Sequence, residues 1–115
     1  MKEVVFVGSS LDDLRRFPTD AKHDMGQQIA MIQSGMDPRH WRPMPTVGSS
    51  VRELRVRIAG NAYRSMYTTT LGDVVYILHV FVKKSQKTAK ADIDIARKRF
   101  REVIREIRQY RNRCS

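Results

Sequence analysis

The sequence has very little cysteine and no long apolar run. Its one cysteine, Cys114, has no partner for an internal disulfide. No stretch approaches the roughly 18 apolar residues that a helix needs to cross a bilayer. Residues 1–8 contain a short apolar run but no signal-peptide pattern. We therefore expect a soluble, cytoplasmic protein, and its length of 115 residues predicts a single domain over residues 1–115.

The usual catalytic and metal-binding patterns are also missing. The three histidines, His23, His40 and His79, lie far apart, and none has a cysteine or a carboxylate at ligand spacing. The chain has no glycine-rich phosphate loop of the Walker or Rossmann kind. Its serines Ser9, Ser49 and Ser50 stand in turn or cap contexts, which gives a serine hydrolase no support. We therefore expect no metal and no cofactor.

Positive charge is what the sequence has in excess. It contains 22 lysines and arginines against 12 acidic residues, a formal net charge of +10. A small basic protein favours polyanionic partners such as nucleic acid, the ribosome or an acidic protein. A merely well-solvated basic surface would have the same composition, and composition alone leaves these alternatives open.

Hydrophobic periodicity predicts an α+β fold. Ala21, Met25, Ile29, Ile32 and Met36 recur at helical spacing and predict a helix with one apolar stripe. Residues 37–50 contain three prolines and are expected to have no regular structure. The period then changes to two, as in strands. The predicted order is β-α-α-β-β-β-α, with two N-terminal helices and a C-terminal helix packed on a small, twisted, mainly antiparallel sheet. The segments begin near residues 4, 10, 18, 51, 61, 74 and 92.

Several cations are predicted to share one face of that sheet. Arg55 and Arg57 alternate with the apolar Leu54, Val56 and Ile58, and a turn at Gly60-Asn61 would bring Arg64 to the same face. More lysines follow the long third strand of the meander: Lys83, Lys84, Lys87 and Lys90. Such a face attracts phosphate groups, which arginine binds with two parallel hydrogen bonds. The alternative is a solvated outer face whose charges discourage edge pairing.

These residues resemble a known family. The pattern comprises Trp41-Arg42-Pro43-Met44, Glu53-Leu54-Arg55-Val56-Arg57, Tyr63-Arg64, the run 76–88 and the run 91–97. Together they resemble the phage-derived, HigB-like branch of the RelE/HigB superfamily of type II toxins. The resemblance is close over residues 40–105 and extends to the order and length of the N-terminal helices.

The resemblance implies a fold, an activity and partners. The expected fold is RelE-like, with a cleft on the sheet face opposite the helices. The expected activity is that of a toxin, a metal-independent endoribonuclease (an mRNA interferase) that inhibits translation by cutting messenger RNA on the ribosome. In this chemistry the 2′-hydroxyl attacks the adjacent phosphate and leaves a cyclic phosphate and a free 5′-hydroxyl. The expected partners are mRNA, ribosomal RNA and a cognate antitoxin, which is expected to be a helix-turn-helix protein.

The resemblance also implies roles for residues. It gives Arg64 the contact to the scissile phosphate and matches Arg55, Arg57, Lys83 and Lys84 to basic residues of the family. We expect Lys83 or Lys84 to transfer the proton, because crowded cations make a lysine exchange protons more readily near neutral pH, and His79 is a further candidate. The expected RNA-binding residues are Arg55, Arg57, Lys87, Lys90 and His79. His79 could instead be a packed, hydrogen-bonded core residue. We expect Arg64 to be exposed, and we expect Arg55, Arg57, Arg64, Lys83 and Lys84 to converge into one phosphate-sized pocket.

Other interpretations of the sequence remain open. The chain could be a non-enzymatic RNA- or DNA-binding regulatory protein that uses the sheet face and the arginine-rich last helix. It could also be an inactive relative kept in a regulatory complex. Trp41 could stack on RNA or cover an edge of the core.

Overall fold

The fold is a five-stranded sheet with three helices. The structure is a computed structural model that describes residues 1–83 and 88–114. The elements are β1 (Glu3–Phe6), α1 (Ser10–Arg15), α2 (Thr19–Gln33), β2 (Trp41–Pro43), β3 (Val51–Ile58), β4 (Asn61–Thr68), β5 (Val74–Lys83) and α3 (Lys90–Cys114). The strand order is β1-β5-β4-β3-β2, with β1 parallel to β5 and all other pairs antiparallel. The predicted α+β class is confirmed.

The short strand β2 corrects the prediction that residues 37–50 lack regular structure. Trp41 lies opposite Leu54, and Pro43 lies opposite Arg52. Proline is tolerated here because β2 is the outermost strand and needs hydrogen bonds on one side only. The guanidinium of Arg52 lies 3.9 Å from the centroid of the Trp41 ring. The tryptophan is thereby held against the edge of the sheet.

One face of the sheet packs against α2. Ala21, Met25, Ile29 and Ile32 are buried at the helical spacing that the sequence predicts, and they share a core with Leu54 and other residues of the sheet. The inclusion of Met36 in this stripe was wrong. The helix ends at Gln33, and Met36 is 54% exposed in the turn that follows.

The opposite face packs against α3. Ala96, Phe100 and Val103 cover a second apolar cluster that includes Met66 and Leu78. The prediction that this face would be free of helices is therefore wrong, because α3 takes part of it. The later part of α3 carries the aromatic Tyr110, which is 70% exposed. No helix in the described ranges is both long enough and apolar enough to cross a membrane.

A bulge in β5 changes which residues face which side. Tyr67 is opposite Ile77, but the preceding Met66 is opposite His79, so Leu78 is an extra residue without a partner on β4. Ile77 therefore packs with the α2 core, whereas Leu78 packs with the α3 cluster. Beyond the bulge, the odd-numbered residues of β5 lie on the α3 face of the sheet.

The tight turn between β3 and β4 gives a first testable prediction. Ala59 and Gly60 both have positive φ, at 51° and 80°, which is the pattern of a type I′ hairpin turn. Alanine is strained there because its Cβ crowds the carbonyl oxygen, whereas asparagine tolerates this conformation. We expect Ala59→Asn to raise the free energy of unfolding by about 0.5–1 kcal/mol. Urea denaturation would measure the change, and an equal or lower midpoint would contradict it.

Candidate functional site

Strand register brings four charged side chains together on the α3 face of the sheet. Arg55 lies directly opposite Arg64, and Glu53 lies directly opposite Arg42 of β2. Side chains at such opposed positions start about 5 Å apart. Lys83 joins the same face from β5, where it lies opposite Ala62. We call Arg42, Arg55, Arg64, Lys83 and Glu53 the cationic cluster.

Glu53 is the fully buried centre of the cluster. Its Oε1 accepts hydrogen bonds from Arg64 and from Nε of Arg42, the latter at 3.1 Å. Its Oε2 accepts a bond from the Thr88 hydroxyl at 3.0 Å. The Thr88 oxygen in turn accepts a bond from Arg42 at 3.0 Å. A buried carboxylate is tolerated only with such partners, so Glu53 fixes the two arginines in place.

Arg64 is buried, which corrects the expectation that it is exposed. Only 4% of its side chain is accessible. Burial lowers the pKa of the guanidinium, and the charge of Glu53 partly opposes that shift. Its Nε has no hydrogen-bond partner among the described residues. A buried donor without a partner is costly, and a bound anion would satisfy it.

Lys83 is the second buried cation of the cluster, and 9% of it is exposed. Its pKa is lowered by burial first and then by the nearby charges of Arg64 and Arg42. Each of these effects disfavours the protonated amine. A lysine with a lowered pKa gives up and takes back a proton more readily near neutral pH than an ordinary lysine.

The lowered pKa of Lys83 predicts a dependence of stability on pH. Between the folded-state pKa and the ordinary lysine value of about 10.4, the unfolded chain binds more protons than the folded one. The folded state therefore gains stability as the pH rises through that window. We expect Lys83→Met to remove this pH-dependent gain. The free energy of unfolding of the variant, relative to that of the wild type, should therefore be highest at neutral pH and fall as the pH rises. Urea unfolding between pH 7 and pH 10 would measure it, with the exposed Lys22→Met as control. Parallel profiles for the two variants would contradict the prediction.

His79 lies on the cluster's face of the sheet but bonds elsewhere. Its Nε2 is 2.7 Å from Oδ1 of Asp92 in the first turn of α3, and its ring stacks on Phe81 at a centroid distance of 4.9 Å. The ring is buried, and its Nδ1 has no partner in the described part of the chain. These contacts are those of a packed residue that joins β5 to α3, as the alternative interpretation expected.

Arg57 and Lys90, the other predicted cations that the structure describes, do not converge with the cluster. Arg57 is exposed and lines a cavity at the outer edge of β3, together with Arg55. Lys90 is the exposed first residue of α3. Lys84 and Lys87 lie outside the described residues. Of the five cations expected in one pocket, the structure brings together Arg55, Arg64 and Lys83.

Comparison with known proteins identifies the family. A family model described as "Phage derived protein Gp49-like (DUF891)" matches residues 12–101. This chain belongs to the Gp49-like family. The isolated RelE toxin of E. coli matches it in structure, with a TM-score of 0.54 and 16% identity, over 93% of this chain and 99% of the RelE chain. That likeness shows a shared fold. A search of curated proteins gives no match.

The site of this Gp49-like chain contains three residues to which sequence reasoning gave no role. Arg42 and Thr88 bond to each other and to Glu53, yet the three are far apart in sequence. Glu53 did leave a signal, because it is an acid on the same strand face as two arginines. No pattern indicated that Arg42 belongs to the site, because strand β2 was not predicted. It is the pairing of β2 with β3 that places its side chain next to Glu53.

Proposed function

We propose that this Gp49-like chain is the toxin of a toxin–antitoxin pair and cuts messenger RNA on the ribosome. The observation that carries the proposal is the cationic cluster, in which Arg42 and Arg64 are held by one buried carboxylate. A RelE fold and a Gp49-like sequence also support it. The proposed reaction needs no metal, because the RNA supplies the nucleophile and the cations of the cluster stabilise the charge.

Arg64 is proposed to bind the scissile phosphate. During attack by the 2′-oxygen, negative charge builds on the phosphoryl oxygens, and a fixed guanidinium stabilises it best in a partly dry site. Arg64 is fixed by Glu53, and its buried Nε, which has no hydrogen-bond partner among residues 1–83 and 88–114, is a donor for the phosphate once the substrate opens access to it. Arg55, directly opposite on β3, supplies a second cation for the same strand of RNA.

Lys83 is proposed to transfer the proton. The bond from phosphorus to the 5′-oxygen breaks as the bond to the 2′-oxygen forms. The 2′-hydroxyl loses a proton and the leaving 5′-oxygen gains one, with water as the partner in the transfer that Lys83 does not make. Lys83 is suited to one of these transfers because its pKa is lowered, whereas the buried Glu53 is already occupied by three partners. Lys84 remains a predicted catalytic residue, and Lys87, Lys90 and His79 remain predicted contacts to substrate.

The proposed partners follow from the same function. A ribosome-dependent nuclease works in the cytoplasm and contacts both mRNA and ribosomal RNA. A toxin of this kind is held inactive by an antitoxin, which we propose to be a helix-turn-helix protein. The formal net charge of +10 suits both a nucleic acid and an acidic protein surface.

Inducible expression in bacteria tests the proposal. We expect growth arrest and new messenger 5′ ends that fall only within translated frames. A matched messenger without a start codon is the control and should stay intact. Cuts in both messengers would show a ribosome-independent nuclease. Harmless accumulation of folded protein would contradict the proposal.

A non-enzymatic RNA-binding protein is the second candidate, and α3 favours it. The helix carries a row of exposed basic residues in its second half: Arg101, Arg105, Arg108, Arg111 and Arg113. Such a row binds phosphates without selecting a sequence. On this alternative, affinity for free RNA falls steeply with salt, and translating extracts show no cleavage.

A further inference from the structure

A polar cavity lies at the outer edge of β3, next to Arg55 of the cationic cluster. Its volume is about 250 Å³. Asp24 and Gln28 of α2 form one wall, and residues 55–57 of β3 (Arg55, Val56 and Arg57) form another. Arg39 and His40, which precede β2, complete the lining. The cavity thus combines arginines with one carboxylate.

The α2 wall of this cavity is held by hydrogen bonds. Gln28 is 2% exposed, and its Oε1 accepts the backbone N–H of Arg39 at 2.8 Å. Its Nε2 donates to Oδ1 of Asp24 at 3.4 Å, and the guanidinium of Arg39 lies 3.4 Å from that same oxygen. The Asp24 side chain remains 31% exposed. The Asp24 carboxylate and the Arg39 guanidinium, whose side chain is 63% exposed, therefore lie side by side with access to the cavity.

The side chains of the cavity match one nucleobase better than the others. Guanine presents the acceptors O6 and N7, which arginine binds with two hydrogen bonds. Guanine also presents N–H donors on its pairing edge, which a carboxylate accepts. Adenine has a donor where guanine has O6, and its ring N1 is an acceptor where guanine has an N–H. Cytosine and uracil have no N7, so arginine cannot make the same pair of hydrogen bonds to them. Arg39 and Asp24 together favour guanine.

The strand β3 connects the cavity to the cationic cluster. Arg55 lines the cavity and lies directly opposite Arg64, the residue proposed to bind the scissile phosphate. Arg57, two residues further, projects on the same side of the strand. A nucleotide whose base occupied the cavity would place its phosphate near these two arginines, one strand away from Arg64.

We propose that this cavity binds the guanine base of a nucleotide that flanks the cleaved bond. The place of this cavity in the reaction rests on the proposed nuclease function. The binding of guanine to the cavity does not. It makes Asp24 and Arg39 residues that determine specificity and act before any bond is broken. Guanine next to the cleavage site would then be selected by the protein and not by the ribosome alone.

Titration with single nucleotides tests binding apart from cleavage. We expect guanosine monophosphate to bind about tenfold more tightly than the adenosine, cytidine or uridine monophosphates. Amide NMR shifts should centre on Asp24, Arg39 and Arg57. Asp24→Asn should remove the preference for guanosine, whereas the exposed Asp12→Asn should keep it. Equal binding of all four nucleotides, or shifts confined to Glu53 and Arg64, would overturn the inference.

Mapping of cleavage sites separates this inference from the proposed function. With the wild type, guanine should be enriched beside the cuts, and Asp24→Asn should reduce that enrichment more than it reduces the number of cuts. Cuts without guanine enrichment would overturn the cavity's role and leave the nuclease standing. Binding of guanosine monophosphate without any cleavage would overturn the nuclease and leave the cavity standing.

Discussion

Glu53→Gln is expected to lower the free energy of unfolding by about 3 kcal/mol or more, because it leaves a buried arginine without its counter-charge. The Glu53 side chain is 0% exposed, and that of Arg64 is 4% exposed. Glutamine keeps the shape of glutamate but offers one acceptor oxygen where Glu53 has two. Urea denaturation at pH 7 would measure the loss, with circular dichroism to verify the native fold.

Two further variants show whether charge is the cause. Asp12→Asn makes the same chemical change on α1, where the side chain is 70% exposed, and should shift stability by no more than about 0.5 kcal/mol. The double variant Glu53→Met/Arg64→Leu removes both members of the pair and should recover much of the lost stability. A loss for Glu53→Gln as small as that for Asp12→Asn would contradict the central role of Glu53.

Arg64→Lys is expected to reduce cleavage of translated mRNA by about 100-fold, although the positive charge is kept. Lysine has no planar fork, so it cannot hold Glu53 and a phosphate in the fixed geometry that a guanidinium provides. Because lysine still pairs with Glu53, most of the variant should remain folded. Cleavage in a translating extract would measure the effect, at concentrations corrected for the folded fraction.

Arg15→Lys is the matched control for this experiment. Arg15 lies at the end of α1, and its side chain is 67% exposed. The cleavage rate of Arg15→Lys should therefore equal that of the wild type. If Arg64→Lys cleaved at nearly the wild-type rate while it remained folded, Arg64 would be a structural residue only. The proposed mechanism would then lose its contact to the phosphate.

The sequence predicts most of the fold because its patterns are local. Alternation in β3 identified Leu54 and Val56 as core residues, and both are buried. The stripe of α2 was also predicted, except at Met36, where the chain has already left the helix. Strand β2 was missed because proline usually breaks regular structure, and only its place at the edge of the sheet makes Pro43 acceptable.

The site was harder to predict because its contacts join distant parts of the chain. Alternation placed Arg55 and Arg64 on one face, and the register confirms that placement. Burial cannot be read from alternation, so Arg64 was expected in solvent and is found paired with Glu53. The hydrogen bond between Thr88 and Glu53 joins residues that are 35 positions apart in the sequence, and no local pattern predicts it.

The unpaired Leu78 in β5 has a consequence for how this protein can evolve. Ile77 and Lys83 are both odd-numbered, yet the extra residue between them sends their side chains to opposite sides of the sheet. Loss of a single codon beyond the bulge would turn the lysine toward α2 and away from Arg64. The strand is apolar on both sides and would still pair, so such a chain could fold and yet be inactive. Relatives that have lost or gained one residue there are the first in which to look for loss of the proposed cleavage.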